Sequence, residues 1–357
     1  NTIAASFAGT SATLARLHQH IIGRFCTDPE VEGVMEGYLS AIDLKVDNRG
    51  EMLDKLPPNP CLQQLPRGLA VAHHHYGTPQ ATVLFVVQEG ELNTVDQRHL
   101  EFELFQTHGV PVRRLTLREV SERCTLEGPE RKLILDGQQE VSVVYFRASY
   151  TPRDFPEELH WQARLLLERS KAIKCPNLAY HLTGTKKVQQ VLCDPDQLYR
   201  FLPENEGGRE VMETFARLYG FDAAGARQST LDAVADAEKD PEKYVLKPQR
   251  EGGGNNLYAE EMIGQLTSPE LVKTLPSFIL MERFFPRPSP ALLLRQGQVN
   301  AGLAVSELGI YGIFLGDAEG QVLLNEYAGY LLRTKLEGVK EGGVATGYAV
   351  LSSPILS

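Results

Sequence analysis

Apolar positions recur at helical spacing through residues 11–76, with Leu14, Leu17, Ile21, Ile22 and Phe25 forming one stripe, so this stretch is expected to be helical. Within it, the Pro-rich and polar segment 48–66 reads as a loop or break. At Thr82 the pattern changes. Ala81-Thr-Val-Leu-Phe-Val-Val87 is a continuous apolar run, the signature of a strand covered on both faces. A helix over 97–108 closed by Gly109 follows, then strand-like 110–115 and, past an Asp136-Gly137 turn, strand-like 141–146. Strand, helix and strand in this order predict an α/β unit of about 100 residues. Polar residues sit just past the strand ends: Glu91, Asn93 and Gln97 after the first, Arg147 and Tyr150 after the last. In open α/β sheets that carboxyl edge is where ligands bind.

Residues 158–200 read as helical, interrupted by Thr183-Gly-Thr-Lys-Lys187. Thr185 as an N-cap puts Lys186 in the first helical turn, where a cation opposes the macrodipole and calls for an anion nearby. Residues 203–243 read as helical. Tyr244-Val-Leu-Lys-Pro-Gln-Arg-Glu-Gly-Gly-Gly-Asn-Asn-Leu-Tyr258 then runs from a short strand into a glycine turn. Strand-like runs at 277–282, 303–315 and 330–335 follow, and a second small-residue loop, Glu341-Gly-Gly-Val-Ala-Thr-Gly347.

At 357 residues the chain suits about two domains. A hydrophobic content of 42% and a charged content of 23% are those of an ordinary globular protein, and a net charge of −10 argues against non-specific nucleic-acid binding. No apolar run approaches the roughly 20 residues that cross a bilayer. The chain opens on Asn1 without a Met, from which a preceding segment is expected. Five widely spaced cysteines, with no CxxC, read as reduced thiols of a cytosolic protein. His73, His74 and His75 invite a metal reading, but adjacent helical side chains diverge by roughly 100°, so a helix end capped by Gly77 is the simpler expectation.

The chemistry concentrates in the glycine turn. Three successive glycines let backbone N–H groups approach an anion, Lys247 brings a point charge for phosphate oxygens, and Glu251 is a hard oxygen ligand suited to Mg²⁺. Neither a P-loop nor a GxGxxG fingerprint is present. A plain surface loop is the alternative. With Lys186 and Lys335, and with Glu307 on a strand, the set fits a nucleoside-triphosphate site on antiparallel sheets, closed by mobile glycine loops. Arg147 suits bidentate capture of a carboxylate; the alternative is that it pairs with a neighbouring acid.

Four blocks carry a family resemblance: Lys247-Pro-Gln-Arg-Glu-Gly-Gly-Gly-Asn-Asn256, Gly184-Thr-Lys-Lys-Val-Gln-Gln190, Ala163-Arg-Leu-Leu-Leu-Glu-Arg-Ser170 and Leu331-Leu-Arg-Thr-Lys335. Over essentially its whole length the chain resembles the eukaryotic-type glutathione synthetases, which are ATP-grasp ligases. The resemblance implies an α/β (α+β) fold: an ATP-grasp body and lid with an inserted small parallel α/β substrate-binding domain. It divides the chain into 1–79 (helical part of the body), 80–182 (insert) and 183–357 (nucleotide-binding region with the glycine lid). The implied reaction is ATP-dependent ligation of γ-glutamylcysteine and glycine through an acyl phosphate, in a cytosolic homodimer.

By the same resemblance, Asn1 and Glu251 hold Mg²⁺. Lys186, Lys247, Glu251, Gly252, Gly253, Gly254, Asn255, Asn256 and Tyr258 surround the ATP phosphates. Met281, Glu282, Arg283 and Phe284 form the adenine edge, with Glu307 and Lys335 also on ATP. Ser6, Glu91, Asn93, Gln97, Arg147, Ala148, Ser149, Tyr150 and Arg333 hold the dipeptide, and Val344 and Ala345 lie over the glycine end. Lys247, Arg333 and Lys335 form the catalytic set. Three departures stand out: the family's segment before Asn1 is missing, with a Mg²⁺-binding glutamate in it; Ala4 replaces a usual Ser, a contact worth on the order of 1 kcal/mol; and Thr346 stands where Ala is common. They leave three alternatives: a nucleotide-binding effector protein of altered chemistry, a ligase that accepts β-alanine, and an ATP-grasp ligase for another acyl substrate.

Overall fold

The computed structural model describes residues 6–41, 49–222, 227–250, 254–270, 272–339, 342–344 and 347–356. The chain divides into two compact units, one of residues 4–175 with 286–357 and one of residues 1–3 with 176–285.

The larger unit opens with helices α1 (Ala8–Thr27), α2 (Pro29–Ala41), α3 (Arg49–Asp54) and α4 (Cys61–Tyr76). Small side chains choose the buried face of α1: Ala8, Ala12 and Ala15 are buried with Ile22 and Phe25, while Leu17 is half exposed, against the expected stripe. The cause is close approach. A Cβ on Gly9 would meet the Asp96 carbonyl oxygen and His99 Cβ at 2.8 Å. The expected break at 48–66 shrinks to the link between α3 and α4. Pro66 lies inside α4, where burial offsets its missing N–H bond. That helix ends as expected on Gly77, left-handed at φ 85, and His73 Nδ1 lies 2.8 Å from Ser142 Oγ.

Next come β1 (Thr82–Val86), α5 (Thr94–His108), β2 (Val112–Leu115), α6 (Leu117–Arg123), β3 (Cys124–Glu127), β4 (Lys132–Leu135), β5 (Gln139–Phe146), α7 (Glu158–Arg169) and β6 (Ile173–Cys175). The sheet order is β2-β1-β5-β4-β3; β1 runs parallel to β2 and β5, and β6 runs parallel to β5. One edge of β5 is shared: Val141 pairs with Leu133 of antiparallel β4, and Val143 with Ile173 of β6. The unbroken apolar runs follow from two covered faces. Val83, Phe85, Val143 and Tyr145 pack with Leu69, Leu100 and Leu104 of α4 and α5; Leu84, Val86, Val144 and Phe146 pack with Leu117, Val120, Ala163 and Leu167 of α6 and α7. The hairpin β3–β4 and the three-residue β6 lie outside the expected pattern, the latter inside a stretch expected to be helical.

The smaller unit holds α8 (Leu178–Thr183), α9 (Lys186–Leu192), α10 (Pro195–Leu198), α11 (Gly208–Glu213), β7 (Leu218–Gly220), α12 (Gln228–Lys239), β8 (Tyr244–Pro248), α13 (Ala259–Thr267) and β9 (Phe278–Glu282). Its antiparallel sheet, β7-β9-β8, buries Leu246 and Leu280 against Ala233, Ala237, Met262 and Leu266 of α12 and α13. Residues 203–243 are therefore not helical throughout. At three residues β7 is too short to show a period, and it is a strand because β9 pairs with it.

The chain returns to the larger unit as the antiparallel sheet β10 (Ser289–Arg295), β11 (Gln298–Gly316), β12 (Val322–Leu336) and β13 (Val350–Ser352), in that order. Ile313, Leu315, Leu324 and Ala328 join the core cluster containing α4.

Candidate active site

In the larger unit, the expected residues gather past the carboxyl ends of β1 and β5. The Arg147 N–H donates to the Val86 carbonyl at 2.8 Å, so the guanidinium leaves the sheet at its edge. That side chain is almost wholly buried, and Nη2 donates to Asp96 Oδ2 at 3.0 Å. The alternative reading of Arg147 is met in that it pairs with an acid, while Nη1 is buried and has no partner among the described residues. Burial pulls its pKa down, but neighbouring Tyr145 and the Asp96 carboxylate outweigh that and raise it, so the guanidinium stays charged. Asp96 is fully buried and also accepts from the N–H groups of Phe7 and Thr10, each at 3.0 Å. It thereby caps α1, whose own N-cap residue Phe7 offers no side-chain bond.

Ser149 follows with φ 78 and a buried hydroxyl that has no partner among the described residues. Glu91 accepts from the Asn93 N–H at 2.7 Å and from Gln97 Nε2 at 2.7 Å. The other end of that amide, Gln97 Oε1, accepts from Arg114 Nη2 at 2.6 Å. Tyr150 Oη accepts from Gln88 Nε2 at 3.2 Å, and the Ser6 carbonyl accepts from Tyr311 Oη at 2.5 Å. Glu91, Asn93, Gln97 and Arg147 thus share one network, joined through Asp96, which also accepts from Asn93 Nδ2 at 3.5 Å. Tyr150 belongs to a second group with Gln88 and Asp154, and Ser6 pairs with Tyr311. Asp96, Arg114, Gln88 and Asp154 belong to these groups without having been singled out. Asp96 and Arg147 are 51 residues apart, beyond any local pattern.

On the long sheet, Glu307 and Arg333 face each other in register and form an ion pair. Arg333, expected on the dipeptide, and Glu307, expected on ATP, are each other's partners here. Val344 lies in a turn whose carbonyl accepts from the Gly347 N–H at 2.9 Å; Ala345 lies outside the described residues.

In the smaller unit, β8 carries Lys247 opposite Ile279. Thr185 occupies the N-cap of α9 but makes no side-chain bond; instead Gln249 Oε1 accepts from the Lys187 N–H at 3.0 Å. Lys186 lies in the first turn, as expected, and its Nζ donates to the Arg250 carbonyl at 2.6 Å. The helix start and the chain entering the glycine turn are thereby joined. Gly254 is left-handed at φ 81; Glu251, Gly252 and Gly253 lie outside the described residues. Asn256 Nδ2 donates to Tyr258 Oη at 3.3 Å, and the Arg283 guanidinium lies 5.7 Å from the Tyr258 ring centre. Glu282 accepts from Tyr219 Oη at 3.1 Å, Met281 is half-buried and Phe284 exposed.

Asn1 also lies outside the described residues, and among those described no group of three His, Cys, Asp or Glu side chains is placed to hold a metal. All five cysteines are free thiols, and burial pushes Cys61 up to about 12. No helix among the described residues is long and apolar enough to cross a membrane.

The sequence model of the family described as "Eukaryotic glutathione synthase, ATP binding domain" matches residues 1–356. A chloroplastic glutathione synthetase from Solanum lycopersicum is 40% identical over 355 residues, covering 99% of this chain and 60% of that protein. The glutathione synthetase of Homo sapiens is 40% identical over 356 residues, covering 99% of this chain and 69% of that protein. The chain thus spans 60–69% of the length of these relatives. Among solved structures, a glutathione synthetase-like effector from Globodera pallida, in apo form, superposes with a TM-score of 0.70 at 21% identity, covering 100% of this chain and 70% of that one. That likeness establishes the shared fold.

Proposed function

The chain belongs to the eukaryotic glutathione synthase family, and from that premise we propose that the whole protein joins γ-glutamylcysteine and glycine to make glutathione, with ATP as the driving co-substrate. The observation that supports this reading most is that two buried donors at the carboxyl edge of the first sheet, Arg147 Nη1 and Ser149 Oγ, have no partner among the described residues. An unmatched buried donor costs about 1–3 kcal/mol, a cost that a substrate carboxylate removes. With Nη2 tied to Asp96, the other edge of the guanidinium is aimed and held. Glu91 is the acceptor for a substrate ammonium, fixed between Asn93 and Gln97.

In this reading Lys186 and Lys247, beside the glycine turn, neutralise the ATP phosphates, and Arg333 and Lys335 complete the catalytic set. The cysteinyl carboxylate attacks the γ-phosphorus and ADP departs, leaving an acyl phosphate. The glycine amine then attacks the acyl carbon, losing a proton, and phosphate leaves. Positioning and charge neutralisation do most of this work. Asn1 and Glu251 offer hard oxygen donors of the kind Mg²⁺ prefers; the ion would supply further charge neutralisation at the phosphates. We assign the protein to the cytoplasm as a homodimer.

The deciding experiment incubates the full-length protein with ATP, Mg²⁺, γ-glutamylcysteine and equal amounts of glycine and β-alanine, and reads products by mass spectrometry. Glutathione confirms the ligase. The β-alanine tripeptide corrects the acceptor. ATP binding without any tripeptide replaces the ligase with a binding or effector role.

A further inference from the structure

Asp154 has no part in the reaction just described, yet it organises the turn that presents Arg147, Ser149 and Tyr150. Its Oδ2 accepts from the N–H groups of Tyr150 and Thr151, at 3.0 and 2.9 Å, and from Thr151 Oγ1 at 3.2 Å. Its Oδ1 accepts from Gln88 Nε2 at 3.2 Å, and the same amide donates to Tyr150 Oη at 3.2 Å. Gln88 follows β1, whereas Asp154 follows β5, so one carboxylate ties together the exits of two neighbouring parallel strands.

The segment it holds is not relaxed. Ser149 is a non-glycine residue at φ 78, a conformation that persists only where the surroundings enforce it. Its own Oγ and Arg147 Nη1, two positions before it, are buried donors without partners among the described residues. A capping box between Thr151 and Asp154 would suffice to end the turn. The link through Gln88 to the Tyr150 hydroxyl goes beyond that need and fixes a side chain of the proposed dipeptide site.

We propose that Asp154 is a positioning residue for the dipeptide: with Gln88 it holds the strained Arg147–Tyr150 turn in its binding geometry before substrate arrives. The inference rests on the reading that this sheet edge takes γ-glutamylcysteine. Preorganisation of this kind lowers the ordering cost of binding, so its loss appears in substrate affinity.

The test compares Asp154→Ala, Asp154→Asn and Arg147→Ala in the full-length protein, measuring calorimetric affinity for γ-glutamylcysteine and for ATP, steady-state kinetics and Tm. Asp154→Ala is expected to raise the dipeptide Kd and KM by roughly tenfold, with kcat within about twofold and ATP affinity unchanged. Asp154→Asn, which keeps one acceptor oxygen, should recover most of the loss. Normal dipeptide affinity in Asp154→Ala, alongside weakened affinity in Arg147→Ala, overturns the inference and spares the site. So does a collapse of Tm with parallel loss of both ligands in both Asp154 variants, which marks a structural role. Normal affinity in Arg147→Ala removes the dipeptide site itself, and this inference with it.

Discussion

Asp96 and Arg147 are joined at 3.0 Å with side-chain exposures of 0% and 3%, and the same carboxylate caps helix α1. One buried charge therefore sets both the start of a helix and the direction of a binding side chain. Breaking a buried pair on one side strands the other charge, which is far more costly than losing a surface pair.

Asp96→Asn is accordingly expected to lower folding stability by about 3–5 kcal/mol, measured by urea denaturation. Replacing Arg147 with Met in the same protein should return part of the loss, because the stranded guanidinium is gone. A change below about 1 kcal/mol in the single variant would mean that water or another group compensates, and the pairing would lose its structural role.

Lys247→Ala should weaken ATP binding at least about tenfold, since a phosphate charge loses its partner. Arg147→Ala should raise the dipeptide KM while leaving ATP affinity in place. Unchanged kinetics in both variants would discredit the assignment of the two ligands.

Gly9→Ala tests the contact of α1 with α5. The added Cβ would fall 2.8 Å from the Asp96 carbonyl oxygen and from His99 Cβ, so the helices must separate. A loss of about 1–3 kcal/mol is expected, seen as a lower Tm. A neutral result would mean that the approach of the two helices is not close in solution.

Burial raises the thiol of Cys61 from 9.0 to about 12, and those of Cys124 and Cys175 to about 11. The folded protein keeps these protons more tightly than the unfolded chain. Their contribution is therefore fully present below pH 9 and lost as pH rises towards 11–12. Each such thiol should steepen the fall by up to about 1.4 kcal/mol per pH unit in that window. Denaturant titrations between pH 8 and 10 should show the decline, shallower in Cys61→Ala; an identical slope in that variant would refute it.

Local patterning located the doubly covered strands β1 and β5 because both faces of each are buried, so their residues are mostly apolar, the buried Thr82 and Ser142 donating their hydroxyls to backbone carbonyls. It likewise located the ends of α4 and α5, where Gly77 and Gly109 take left-handed backbone that a side chain would resist. It did not reveal β7 or β6, three residues each, which exist as strands only through their neighbours. Nor did it show that Leu17 faces outward, since a helical stripe of leucines and one of alanines are both periodic, and only the close crossing with α5 selects the small one.

The sequence by itself determined the family, through four blocks of residues, and it determined which strand ends would carry polar side chains. Tertiary structure alone decided who partners whom there. Asp96 reaches Phe7 across 89 residues and Arg147 across 51, and Gln249 caps α9 across 62, in place of Thr185 beside it. Local signals arise from side chains two to four positions apart, which share a face whatever the fold. Buried pairings depend on which elements pack together. Once water is excluded, a donor must take the acceptor the fold supplies, however distant along the chain.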